Sequence, residues 1–178
     1  MKSFNVIITT IGRSTLQRMI DSIAVQLEPN DYLTIIWDSK PFELDINTKA
    51  TVISIVNSTP LGHWGHGSRT KWQNILPGDY IVCGDDDDVF LPNAMSKIRK
   101  YCTEDKFYIF QMAYNGTVLP ETHEIKLGNI GTPCGVYKPG NLPKWEFIYG
   151  GDFEFFKKLS NIKTPVFIDE VIYKIRPA

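Results

Sequence analysis

Tyr80-Ile81-Val82-Cys83-Gly84-Asp85-Asp86-Asp87-Asp88-Val89-Phe90-Leu91-Pro92 is the stretch on which the reading of this chain turns. Tyr80–Cys83 is a short apolar run with the length and composition of a buried strand. Asp85–Asp88 follow it directly, and four adjacent carboxylates repel one another. Crowded at the end of a buried strand, they either take up protons or require a cation. A hard divalent ion such as Mg²⁺ or Mn²⁺ prefers oxygen ligands and binds through one or two carboxylates plus substrate phosphates. A solvated acidic loop, or an acidic start to the segment after Pro92, is the plainer reading. The strand that runs straight into the acids favours the metal.

Upstream, Phe4-Asn5-Val6-Ile7-Ile8-Thr9 is a continuous apolar strand of the kind covered on both faces. Thr10-Ile11-Gly12-Arg13 makes a turn, and a helix is expected from Ser14, with Gln17 completing a capping box. Leu16, Met19, Ile20, Ile23 and Leu27 recur at helical spacing and give that helix one apolar face. Glu28-Pro29-Asn30 stops it, and Tyr32–Trp37 is the second strand, ending at Asp38. This is a βαβ unit with an expected right-handed crossover. Thr51–Val56 is a third strand, followed by the glycine-rich loop Pro60–Gly67 and a short helix from about Ser68 to Leu76.

Downstream, the spacing predicts a helix near Asn93–Tyr101 and a strand over Phe107–Met112. A Gly-, Pro- and Thr-rich region with short hairpin-like strands runs from about Asn115 to Leu142. A brief helix over Phe153–Leu159 and two strands, Val166–Ile168 and Val171–Ile175, close the chain. The expected architecture is one α/β domain with a mostly parallel central sheet flanked by helices. Thr9-Thr10, Asp38 and Asp85–Asp88 then lie just past the carboxyl ends of strands, the edge at which open α/β sheets bind ligands. A hydroxyl-plus-arginine turn, a lone Asp and an acidic metal loop together suit a nucleotide carrying a diphosphate.

Composition narrows the classes. The chain has 178 residues, 43% of them apolar and 22% charged, as in ordinary globular domains. A formal net charge of −1 gives no electrostatic case for nucleic acid or an anionic membrane. Cys83, Cys102 and Cys134 are odd in number, lack CxxC spacing and suit a reducing compartment. No run is long enough to span a bilayer and no signal-peptide pattern opens the chain, so a cytoplasmic location is expected. Asn115-Gly116-Thr117 fits a glycosylation sequon that such a location would leave unused. His63 and His66 flank Trp64; two imidazoles without a third ligand make a weak zinc site, while Trp64 could stack on a sugar or base.

Val6-Ile7-Ile8-Thr9-Thr10, Thr15-Leu16, Ile35-Ile36-Trp37-Asp38-Ser39 and Gly78-Asp79-Tyr80-Ile81-Val82, leading into Asp85–Pro92, resemble the opening of a family-2 glycosyltransferase. The resemblance covers residues 4 to about 100 and is looser beyond. It implies the GT-A fold: residues 1–100 as a nucleotide-binding half and 101–178 as an acceptor-side half of a single domain. It also implies a Mn²⁺- or Mg²⁺-dependent enzyme that moves a sugar from a nucleotide-diphosphate sugar, UDP by default, to a glycan, lipid-linked or other hydroxyl acceptor. On that resemblance Thr9, Thr10, Arg13, Asp38, Arg69, Asp85 and Asp86 contact the nucleotide-sugar, and Asp87 with Asp85 holds the metal. Tyr149-Gly150-Gly151-Asp152 resembles the general-base site of inverting members, with Asp152 as the base and Glu154 as its substitute. The chain departs from the family in having Ile11 where an aromatic is common, Ser39 for a second Asp, and no late metal-binding histidine. The competing reading is a catalytically inactive nucleotide- or sugar-binding module of the same shape.

Overall fold

β1 (Phe4–Thr10) is buried along its whole length, as a strand with neighbours on both sides and helices on its faces must be. In the computed structural model, which describes residues 1–177, it pairs in parallel with β2 (Tyr32–Trp37) and with β4 (Tyr80–Asp85). β2 in turn pairs in parallel with β3 (Thr51–Val56), an edge strand whose side chains are half-buried or exposed. The register sets Thr9 beside Asp85 and Thr10 beside Trp37, so the strand-end polar residues meet at one edge.

The turn before α1 (Leu16–Ala24) contains no side-chain capping bond. The expected Ser14–Gln17 box is absent because Gln17 turns outward to Asp21 and to the Asp45 backbone. The amphipathic face does form: Leu16, Met19, Ile20 and Ile23 are fully buried, each contributing about 2 kcal/mol of hydrophobic stabilisation. At the opposite end of the sheet, Asp31 is wholly buried and accepts from the Phe4 and Glu28 amides and from the Arg99 guanidinium.

α2 (His66–Trp72) leads to β4; β5 (Val89–Phe90) and α3 (Ala94–Tyr101) follow the acidic run. β6 (Phe107–Tyr114) turns through a hairpin into β7 (Thr117–Leu119). β8 (Gly135–Tyr137), α4 (Gly151–Ser160) and β9 (Pro165–Lys174) complete the order β3-β2-β1-β4-β8-β6-β9-β5. β8 is antiparallel to both β4 and β6, and so divides the parallel N-terminal strands from the mixed C-terminal ones. The two expected C-terminal strands are one, β9, which crosses Asp169-Glu170 by shifting register against β6.

An aromatic cluster fixes α4. Phe156 stacks on Phe107 at 5.6 Å, Phe155 lies 5.3 Å from Tyr137, and Trp145 stacks on Phe155 at 4.0 Å. The first turn of α4 is thereby held at the same edge of the sheet as the acidic run.

Candidate active site

Asp85–Asp88 form a tight turn, closed by the Asp88 amide donating to the Asp85 carbonyl at 3.3 Å. The turn separates four chemically identical residues into two kinds. Asp86 and Asp88 face inward and are nearly inaccessible. Asp86 accepts from Thr10 Oγ1 at 2.6 Å, the Ile11 amide at 3.3 Å and Arg13 Nη1 at 2.5 Å, so it ties the β1 turn to the acidic turn. Asp88 accepts from the Arg176 amide at 2.8 Å, and burial lifts its carboxyl pKa to about 7. Asp85 and Asp87 remain partly exposed. Arg13 Nη1 and Arg176 Nε approach the same oxygen of Asp87, at 3.6 and 3.5 Å.

Arg69 is fully buried. Its Nη2 donates to Asp85 Oδ1 at 2.5 Å and its Nη1 to the Trp64 carbonyl at 2.9 Å. Its guanidinium also lies 5.4 Å from the centre of the Trp145 ring. Tyr173 places its hydroxyl 2.8 Å from the Asp85 amide, which donates to it. Asp85 is thus positioned from two separate elements, α2 and β9.

The loop after β3 is shaped by Asp38. Its carboxylate accepts from Asn57 Nδ2 at 2.8 Å, the Leu61 amide at 2.8 Å and the Gly62 amide at 2.5 Å. The loop then passes through His63 and Trp64, both at positive φ, a left-handed conformation that costs a residue with a Cβ about 1 kcal/mol or more. Gly65 follows at φ 79°, where a Cβ would stand 2.1 Å from Thr9 Oγ1, so only glycine admits this approach. Trp64 is held at its carbonyl, and its ring stays two-thirds exposed.

A cleft of about 260 Å³ lies among Thr9, Thr10, Arg13, Asp38, Trp64 and Asp85–Asp87. A second, of about 290 Å³, is lined by His66, Leu127, Thr132, Ile148, Tyr149 and Asp152. Trp64, Asp85 and Arg176 line both, so the two clefts adjoin at these residues. Asp152 sits in the first turn of α4, with its Oδ1 accepting from the Phe153 amide at 2.8 Å. Burial raises its pKa above the ordinary carboxylate value. Glu154 faces Lys157 at 4.0 Å and lines neither cleft.

Among the candidates read from sequence, Thr9, Thr10, Arg13, Asp38 and Asp85–Asp87 line the first cleft, Asp152 the second, and Arg69 lies beneath them as a buried support. Trp64, His66, Tyr173 and Arg176 complete the arrangement. In the sequence Trp64 reads as a candidate stacking surface and His66 only as half of a weak zinc pair, whereas Tyr173 carries no signal of its own and Arg176 only that of a basic residue close to the end of the last strand.

Among the described residues, no group of three or more His, Cys, Asp or Glu side chains converges as a ready metal cage. Asp85 and Asp87 offer two hard carboxylates at the cleft, the donor set that suits Mg²⁺ or Mn²⁺ when a diphosphate and water supply the other ligands. The residues fit such an ion.

No family model matches this chain, and no curated protein sequence matches it. Solved structures do. The chain superposes on S. aureus TarS with a TM-score of 0.77 at 15% identity, covering 99% of this chain and 37% of that one. For TarS 1–349 in complex with UDP-GlcNAc the TM-score is 0.73 at 14% identity, over 100% and 59% of the two chains. The mannosyltransferase PcManGT from Pyrobaculum calidifontis, in complex with GDP-Man and Mn²⁺, gives 0.67 at 10% identity over 97% and 56%. The chain therefore spans between 37% and 59% of the length of these three structures. What they share with it is the architecture, and this chain has the GT-A glycosyltransferase fold.

Proposed function

We propose that this chain is a divalent-metal-dependent glycosyltransferase that moves a sugar from a nucleotide-diphosphate sugar to an acceptor hydroxyl. The observation that carries the reading is the junction of two clefts at Asp85, Trp64 and Arg176, with the acidic turn on one side and Asp152 on the other. The structures of like fold bind UDP-GlcNAc in one case and GDP-Man with Mn²⁺ in another, which supports a nucleotide-sugar as the ligand of the first cleft.

In this reading Asp85 and Asp87 would hold the metal, and a bound ion would supply positive charge for the departing diphosphate. Arg13 and Arg176, already beside Asp87, add positive charge at the same place. Thr9, Thr10 and the Asp38-bound loop shape the nucleoside end of the cleft, with Arg69 fixing Asp85 from below. Asp152 is the base: it receives the acceptor hydroxyl's proton as that oxygen attacks the anomeric carbon and the bond to the diphosphate breaks. A single displacement of this kind inverts the anomeric centre.

Calorimetric titration of UDP and GDP, with Mn²⁺ and with chelator, tests the donor site alongside Asp87→Ala. Metal-dependent binding that the substitution removes is the expected result. Failure of both nucleotides to bind with metal present overturns the assignment; binding without turnover of any donor sugar leaves a binding module in place of an enzyme.

A further inference from the structure

His66 is a buried histidine with one polar atom to spare. The side chain is 95% inaccessible, and its ring packs so closely on the start of α4 that a Cβ on Gly151 would lie 2.7 Å from its Cε1. Its Nδ1 stands 2.8 Å from the Glu146 carbonyl. A carbonyl oxygen can only accept, so Nδ1 carries the proton and Nε2 presents a lone pair. Nε2 makes no hydrogen bond among the described residues, yet His66 lines the second cleft together with Asp152. Burial, and after it the nearby Arg69 charge, pushes the imidazole pKa down and keeps the ring neutral. Nε2 is not among the fully buried atoms that lack a partner, so this acceptor stays open to solvent at the wall of the cleft, where a ligand's O–H can donate to it.

We infer that His66 positions the acceptor: its Nε2 accepts a hydrogen bond from a second hydroxyl of a polyhydroxylated acceptor, beside the hydroxyl that Asp152 deprotonates. The exposed Tyr149 ring and the Ile148 and Leu127 side chains line the same cleft and offer apolar faces for the carbon skeleton of such a molecule. Water, with two O–H donors, is the smallest acceptor of this kind, so hydrolysis of the donor is the minimal form of the reaction. His66 moves no proton of its own; the attacking oxygen's proton still goes to Asp152. The assignment rests on the transferase reading of the preceding subsection.

The two ring nitrogens have different partners, and two substitutions separate them. His66→Asn keeps a donor near Nδ1 for the Glu146 carbonyl and removes the cleft acceptor; His66→Gln places an amide near Nε2. Nucleotide release from UDP-GlcNAc and GDP-mannose is measured with Mn²⁺, in water and with added glycerol, together with nucleotide affinity and melting temperature. In His66→Asn, nucleotide affinity should stay close to the parent and melting temperature should fall about as far as in His66→Gln, both having lost the ring, while release falls about tenfold, the effect of one lost hydrogen bond. His66→Gln should recover a substantial part of the rate. Parental release in His66→Asn, with nucleotide binding intact, overturns the role of His66 and leaves the transferase reading standing. Equal loss in both variants overturns it as well, because the ring would then serve packing alone. A parent protein that neither binds nucleotide nor releases it from any donor removes the transferase reading and this inference together.

Discussion

Arg69 reaches Asp85 from a fully buried position: its Nη2 donates to Asp85 Oδ1 at 2.5 Å, while its Nη1 holds the Trp64 carbonyl at 2.9 Å. One guanidinium therefore couples the acidic turn to the loop that walls both clefts. A planar, permanently charged fork suits this task better than a lysine, whose single ammonium would have to satisfy divergent partners. Arg69→Met retains much of the packing against Trp145 but strips the Trp64 and Gly84 carbonyls of a donor. Loss of stability of roughly 3 kcal/mol is expected from these unpaired groups, measured by urea denaturation. Nucleotide affinity should fall in parallel, since Asp85 and Trp64 lose their common support.

Asp86 and Asp87 are neighbours with opposite duties. Asp86 is the buried acceptor for Thr10, Ile11 and Arg13, whereas Asp87 lies at the cleft between two arginines. Asp86→Ala should destabilise the fold by about 2 kcal/mol, because buried donors lose their partner. Asp87→Ala should leave stability within about 0.5 kcal/mol and abolish the Mn²⁺-dependent part of nucleotide binding. Thermal melts with calorimetry on both variants distinguish the two; matching behaviour would contradict the inward and outward assignment.

Asp88 makes stability depend on pH. Its folded pKa of about 7 lies above the unfolded carboxylate value near 4. The folded state thus binds the extra proton more tightly, so this carboxyl favours folding at low pH. The advantage declines as pH rises from about 4 to 7 and is constant above that. Asp88→Asn keeps an oxygen for the Arg176 amide and removes the titration. Relative to the parent, in chelator, the variant should gain stability across this interval and hold a fixed difference above pH 8. A difference curve that is flat from pH 4 to 8 would falsify the assignment.

How far the sequence could be read follows from which interactions were local. β1, β2 and β4 announce themselves as unbroken apolar runs, and their parallel pairing brings Thr9, Asp38 and Asp85 to one edge, as the ligand-binding rule for α/β sheets requires. β8 gave no such signal. It has three residues in a Gly- and Pro-rich region, and its place between β4 and β6 is decided entirely by distant partners. Ser14 and Gln17 matched a capping pattern, yet Gln17 found Asp21 and Asp45 instead, a tertiary choice invisible in a four-residue motif. Within the acidic run, composition could not tell Asp86 from Asp87, because the difference is the turn's geometry and the arrival of Arg13. Arg176 is remote in sequence from the acidic run, and only the return of β9 alongside β5 brings it to Asp87.

Asp152 offers the most direct test of the chemistry. A base must be ionised to act, and burial raises the pKa of this carboxyl. Donor turnover should therefore increase with pH through a midpoint above the ordinary carboxylate value of about 4 and level off beyond it. Its position in the first turn of α4 limits the rise, since the helix N-terminus favours the ionised form. Asp152→Asn should keep nucleotide affinity, because Asp152 lines the second cleft and not the first, and lower turnover about 10²- to 10⁴-fold with the pH dependence gone. Stopped-time assays of nucleotide release from pH 5 to 9 on both proteins provide the comparison. A variant that keeps the parental rate and pH midpoint would remove Asp152 from the mechanism, and since Glu154 lines neither cleft, the proton would have to leave by another route.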